Sequence, residues 1–104
     1  MNQFMAYLDQ KADFYRKESR QLAADDRRDE GDLAKIRANV YGICKSVFQV
    51  LSAENAMRKL NGLCSEWEAS RLQALNHEDG KKAAIEEIKL ETLAEIRAEL
   101  ERSN

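Results

Sequence analysis

The sequence predicts an all-α fold, an antiparallel bundle of four helices. The 104 residues include no proline and only four glycines, so little in the chain prevents long helices. Apolar residues recur at steps of three and four in four stretches, which is the spacing of one helix face. Because the stretches are each roughly 20–25 residues long and closely connected, antiparallel neighbours are favoured.

The first helix is predicted from about Gln3 to Ala24, with an apolar face that includes Leu8 and Leu22. Four of the chain's aromatic residues lie in it: Phe4, Tyr7, Phe14 and Tyr15. Such crowding usually indicates core packing, and the alternative is an exposed aromatic patch for a partner. A charged segment without apolar residues follows at 25–32 and predicts a turn. Its aspartates suit a helix N-terminus: Asp25 or Asp26 for a start near Arg27, or Asp32 for a later start.

Leu33–Leu51 is the most apolar stretch and is predicted to be the central helix, against which the rest of the chain packs. Its apolar stripe consists of Leu33, Ile36, Val40, Ile43, Val47 and Val50. The interior Gly42 favours close approach of another helix, since a glycine inside a helix costs about 1 kcal/mol relative to alanine.

A second break is predicted at Ser52–Asn55, because the apolar stripe slips by one residue there. Continuing the stripe by sevens from Val47 reaches Glu54, and the pattern resumes at Ala53 instead. Either Ser52 or Asn55 can cap the next helix. The alternative ends the helix at Asn61–Gly62 and gives three helices, one of them very long.

The third helix is predicted over Asn55–Leu75, and the last over Lys81–Arg102. In the break between them, Gly80 follows the third helix or Asn76 caps the fourth. The last helix has a narrow apolar seam, as in coiled coils and bundles, formed by Ile85, Ile88, Leu93, Ile96 and Leu100.

Composition excludes several classes of function. The net charge is −2 and basic and acidic residues are interleaved, which argues against a nucleic-acid partner. No apolar run approaches the ~18 residues of a membrane span, and no signal peptide is visible at the N-terminus. Two cysteines are too few for a secreted disulfide scaffold. We therefore expect a soluble cytoplasmic protein.

No constellation of residues points to catalysis, to a cofactor or to a metal. His77 is the single histidine, and Ala74 stands where a Glu-x-x-His pair needs its glutamate. A structural zinc site needs about four Cys or His ligands. This chain offers His77 and two cysteines only. Gly-rich phosphate loops and Gly-x-Ser-x-Gly are absent, so we expect no enzyme.

We expect a single helical domain over residues 1–104 that acts by contact, as a protein–protein interaction or self-assembling module. A homo-oligomer is expected, because a domain of this size gains from self-association and the seam of the last helix can pair with its own copy. The predicted contact residues are Leu93, Ile96, Leu100, Phe4 and Phe14.

The two cysteines support an alternative. A turn near residues 53–54 places Cys44 and Cys64 at the same height on adjacent antiparallel helices, facing each other across the core. Two buried reduced thiols are the main interpretation, because free cysteine packs like a small apolar residue, and a disulfide or a metal site is the alternative. The alternative function is a small-ligand or metal binder that uses the bundle interior near Cys44, Cys64 and Trp67.

Overall fold

The computed structural model describes residues 2–103, and these form four helices of 23 or 24 residues. The helices are α1 Asn2–Ala24, α2 Arg28–Val50, α3 Ala53–Asn76 and α4 Gly80–Ser103. The predicted all-α bundle of four helices with similar lengths is therefore confirmed, and the arrangement with three helices is not formed.

Side-chain contacts give the direction of each helix. Asp9 of α1 pairs with Lys45 of α2 at 2.7 Å, and Phe4 packs edge-on against Phe48, so α1 and α2 are antiparallel. In the same way, Asn61 and Arg71 of α3 pair with α4 residues that lie in the reverse order, Arg97 and Glu87. Residues Arg37 and Tyr41 of α2 meet Glu91 and Glu95 of α4, so these two helices run parallel.

The centre of the bundle is the parallel pair α2 and α4. Each of these helices contacts the other three, whereas α1 and α3 do not touch within residues 2–103. The prediction that α2 is central is thus confirmed, but α4 shares that position. The bundle measures 37 × 33 × 21 Å with a radius of gyration of 14.4 Å. Since about 13 Å is usual for a domain of this length, the fold is broad and open.

The core combines aromatic side chains of α1 and α2 with aliphatic side chains of α3 and α4. Its buried members are Phe4, Leu8, Ala12, Val40, Tyr41, Cys44, Phe48, Ala56, Leu60, Leu93, Ile96 and Leu100. The aromatic residues of α1 serve mainly core packing, because Phe4 is buried, Tyr7 packs edge-on against Tyr41 and Tyr15 stacks on it. Phe14 is the exception and remains 55% exposed.

The second break lies where the phase slip predicts it. Helix α2 ends at Val50, and the Oγ atom of Ser52 accepts a hydrogen bond of 3.2 Å from the backbone N–H of Asn55. Ser52 is therefore the N-cap of α3. Asn61 and Gly62 lie inside α3 and are exposed.

The predicted caps at the other two breaks are wrong. Asp26 and Glu78 have positive φ angles of 62° and 57° and close α1 and α3, in the left-handed position that follows many helices. The residue after each then donates its N–H five residues back: Arg27 to Leu22 and Asp79 to Ala74, both at 2.8 Å.

This geometry leaves the helix starts to other residues. The N-cap residue of α2 is Arg27, and its side chain makes no capping hydrogen bond. The predicted caps Asp25, Asp26 and Asp32 therefore do not have this role. Asp79 caps α4, because its Oδ1 accepts a 3.0 Å hydrogen bond from the backbone N–H of Lys82.

Asn76 and Gly80, which were the predicted residues at this break, have other positions. Asn76 is the last residue of α3, and Gly80 is the first residue of α4.

Helices α1 and α2 are in close backbone contact at Gly31. A Cβ atom on Gly31 would lie 3.0 Å from the carbonyl oxygen of Ser19, whose Oγ donates to the carbonyl of Gly31 at 2.7 Å. At Gly42 a Cβ atom would meet only the end of Arg16, at 3.9 Å. The predicted close approach at Gly42 is therefore wrong within the chain, and Gly31 takes that role.

Candidate interaction surface

The apolar stripe of α2 is only partly used in the core. Val40 is buried, but Ile43 is 40% exposed and Val50 is 82% exposed. On its α1 side the helix buries small residues instead, at Gly31, Ala34 and Ala38. Ile36, Ile43 and Val50 lie seven residues apart along one outward line of the helix, and we call them the outer patch.

The outer patch has no charged neighbour between Ile36 and Val50. Steps of three and four residues place the uncharged Asn39, Ser46 and Val47 beside it there, and Asp32 borders it one turn before Ile36. In a chain with 35% charged residues, this gives an uncharged helix face that extends from Ile36 to Val50. Apolar residues that line up on the surface, as opposed to single exposed ones, are typical of contact sites.

A groove adjoins the N-terminal end of the outer patch. It lies between α2 and α4 and has a volume of about 390 Å³. Its apolar walls are Leu33, Ile36, Ala84 and Ile85. Asp29, Asp32 and Lys81 form its polar part. Ile36 belongs to both features, so the patch and the groove form one continuous surface.

Four of the five predicted contact residues are packed inside the chain. Leu93, Ile96, Leu100 and Phe4 are each exposed by 9% or less. The expectation is corrected for these four, because α2 and α3 of the same chain pack against the seam of α4, and Phe4 packs against Phe48 of α2. Phe14 is exposed, with the Nζ atom of Lys11 at 5.9 Å from its ring centre.

The two cysteines are free thiols in different surroundings. Cys44 is fully buried in the core, and this burial raises the pKa of its thiol to about 12. Cys64 is half-buried beside a groove of about 220 Å³, which is lined mainly by α4 residues such as Leu90 and Arg97. A buried, protonated thiol such as that of Cys44 is unsuited to act as a nucleophile or a metal ligand.

Cys44, Cys64 and Trp67 share no pocket. Neither Cys44 nor Trp67 lines the groove beside Cys64. Trp67 is half-buried under the Nζ atom of Lys89, at 5.7 Å from its ring centre. All three side chains belong to the core or pack against it, but they do not converge on one ligand-sized space.

A polar network joins α1, α2 and α4. The Tyr41 hydroxyl lies 3.2 Å from that of Tyr7 and donates to Glu95 at 3.4 Å. Arg37 donates to Thr92 at 3.3 Å and lies 3.8 Å from Glu95. Burial, with the neighbouring Tyr7 hydroxyl, raises the pKa of Tyr41 far above its usual range, so the phenol stays neutral. The network's groups bond to one another, which suits a structural role in fixing α2 against α4.

This network was the part of the interior that sequence periodicity missed. Its available signal was the pair Arg37 and Tyr41, polar groups four residues apart on the most apolar helix. Glu91 and Glu95 have the same spacing on α4. The matched spacings agree with the parallel packing of the two helices.

A buried carboxylate lies on the other side of α4. Glu86 is 5% exposed, and its Oε1 atom pairs with the Nζ atom of Lys89 at 3.2 Å. Its Oε2 atom is buried and has no hydrogen-bond partner among the described residues. A single carboxylate with one cation beside it does not form a metal site.

Within residues 2–103, no group of three or more His, Cys, Asp or Glu side chains is arranged to hold a metal ion. None of the four helices has an apolar stretch that is long enough to cross a membrane. The uncharged face of α2 with its adjoining groove is the candidate interaction site.

Comparisons of the chain with protein-family models, with curated proteins and with solved structures found no match.

Proposed function

We propose that this chain is a helical interaction module that assembles with copies of itself and has no catalytic activity. The observation that carries the proposal is the outer patch. The most apolar helix of the chain leaves Ile43 and Val50 exposed, although both belong to its main apolar stripe. Covering apolar surface of this kind stabilises an assembly by about 25 cal/mol per Å².

The total surface supports the same proposal. The chain exposes 6671 Å², whereas a monomeric protein of 11.9 kDa exposes about 5,900–6,000 Å². The excess of about 700 Å² is close to the ~800 Å² that each partner contributes to an interface of standard size. An interface of standard size would therefore leave each chain with about the exposed surface of a usual monomer of its mass.

The polar groups and the buried thiol described above also favour a function through binding, without catalysis. Arg37, Tyr41 and Glu95 bond to one another, and the raised pKa of Cys44 keeps its thiol protonated. The proposal includes a cytoplasmic location, because a reducing compartment keeps thiols such as Cys44 and Cys64 free. It includes no nucleic-acid partner, since basic and acidic residues are interleaved.

Light scattering after size-exclusion chromatography, at several protein concentrations, tests the proposal. The expected mass is a multiple of 11.9 kDa, with the dimer as the smallest assembly. A mass that stays at 11.9 kDa up to the highest concentration would overturn it. Native mass spectrometry of the same sample separates the alternative, a ligand or metal binder near Cys44, Cys64 and Trp67, by a bound species of defined mass.

A further inference from the structure

We infer that two copies of this chain pair through α2 in antiparallel orientation, about a two-fold axis at Ile43. Val50 and Leu51 of each copy then fill the groove beside Ile36 of the other. This inference rests on the proposed self-assembly and adds the surface and the orientation to it.

The spacing of the outer patch supports the position of the axis. Ile36 and Val50 lie seven residues on either side of Ile43, which is about 10.5 Å along the helix in each direction. A two-fold axis that passes beside α2 at Ile43 therefore places Val50 of one copy opposite Ile36 of the other. Ile43 meets its own counterpart at the centre, as a residue on a two-fold axis must.

The two ends of the surface are complementary in shape. At the C-terminal end, Val50 is 82% exposed and Leu51 is 39% exposed. At the N-terminal end lies the groove of about 390 Å³, with Leu33, Ile36, Ala84 and Ile85 in its walls. The antiparallel pairing brings the protruding end of each copy to the groove of the other, so both grooves are filled at once.

The charges favour a second copy and set its direction. Self-pairing brings like residues together near the axis, and the face between Ile36 and Val50 has no charge to repel its own copy. The acidic residues Asp29 and Asp32 continue this face toward the N-terminus. Parallel pairing would place each of them against its own copy, whereas antiparallel pairing separates the two Asp32 residues by about 33 Å along the axis.

The test compares Ile43→Asp with Leu72→Asp as a matched control. Ile43 is 40% exposed and Leu72 is 49% exposed, but Leu72 lies on α3 and belongs neither to the outer patch nor to the lining of the groove. The expected result is that Ile43→Asp sediments as an 11.9 kDa monomer with unchanged helix content, while Leu72→Asp keeps the wild-type mass. Val50→Asp, at an even more exposed site, is also expected to give a monomer. Because Val50 is not part of the core, a loss of dimerisation in this variant does not come from a disturbed core.

Disulfide cross-linking of the full chain, with Cys64→Ser as background, tests the orientation. We expect Ile36→Cys and Val50→Cys to form a mixed disulfide dimer when the two variants are combined, and neither to cross-link efficiently alone. Efficient cross-linking of Ile36→Cys with itself would overturn the antiparallel arrangement.

The outcomes separate the two proposals. A wild-type chain that is monomeric at all concentrations removes both self-assembly and this surface. If the wild type is oligomeric and both Ile43→Asp and Val50→Asp stay at its mass, self-assembly stands and the α2 surface is refuted.

Discussion

Replacement of Gly31 by alanine probes the close backbone contact between α1 and α2. The new Cβ atom would lie 3.0 Å from the carbonyl oxygen of Ser19 and 3.4 Å from the backbone nitrogen of Ala23. Both are backbone atoms of α1, so neither can rotate away. Alanine inside a helix normally stabilises by about 1 kcal/mol relative to glycine, whereas overpacking costs about 1–3 kcal/mol. The net expectation is that Gly31→Ala does not stabilise the fold and lowers the free energy of unfolding by up to about 2 kcal/mol.

Gly62→Ala is the matched control for this substitution. Gly62 also lies inside a helix, but a Cβ atom there would meet no atom within 4 Å. The gain in helix propensity is therefore expected in full, as about 1 kcal/mol of added stability. Urea unfolding followed by circular dichroism, at one fixed protein concentration, measures both changes. If Gly31→Ala stabilised as much as Gly62→Ala, the close packing of α1 on α2 would be refuted.

Two further predictions concern a helix cap and a buried thiol. Ser52→Ala removes the cap of α3 and is expected to lower the free energy of unfolding in urea by about 1 kcal/mol. The control Ser65→Ala, in the exposed middle of the same helix, is expected to leave stability nearly unchanged. Equal effects of the two substitutions would contradict the cap. Because the pKa of Cys44 rises from its ordinary value of 9.0 to about 12 on folding, the unfolded chain loses this proton first. Between pH 9 and 12 the wild type should therefore lose stability relative to Cys44→Ala, by about 1.4 kcal/mol per pH unit. Parallel pH profiles for the two proteins would contradict the burial of Cys44.

Much of the fold follows from local patterns. Helix number and length depend on apolar spacing and on the lack of proline, and both act within a few residues. The break at Ser52 was visible because the stripe changes phase there. The sequence did not predict Arg27 and Asp79 as the residues that precede α2 and α4. Their position depends on the left-handed conformation of Asp26 and Glu78, which aspartate adopts only occasionally and glutamate rarely.

The site was harder to predict, since it depends on which face of a helix is covered. On α2 nearly every face carries apolar or small residues, so periodicity alone does not decide between them. The structure buries Ala34 and Ala38 against α1, because small side chains let the two helices approach near Gly31. That contact turns Ile43 and Val50 outward. The choice is made by the tertiary fit between two helices, which no single stretch of sequence contains.

The same reason explains the corrected contact residues. Leu93, Ile96 and Leu100 form a regular seam, and a regular seam pairs equally well with another helix of its own chain or with another copy. In this fold α2 and α3 cover it. The apolar surface that stays exposed, at Ile43 and Val50, is therefore one that the hydrophobic pattern alone assigns to the core.

Sedimentation equilibrium of the wild-type chain, over a wide range of concentrations, measures self-assembly itself. We expect a reversible monomer–dimer equilibrium that approaches twice the chain mass of 11.9 kDa as the concentration rises. A single species of 11.9 kDa at every concentration would contradict self-assembly and leave the exposed Ile43 and Val50 without a function.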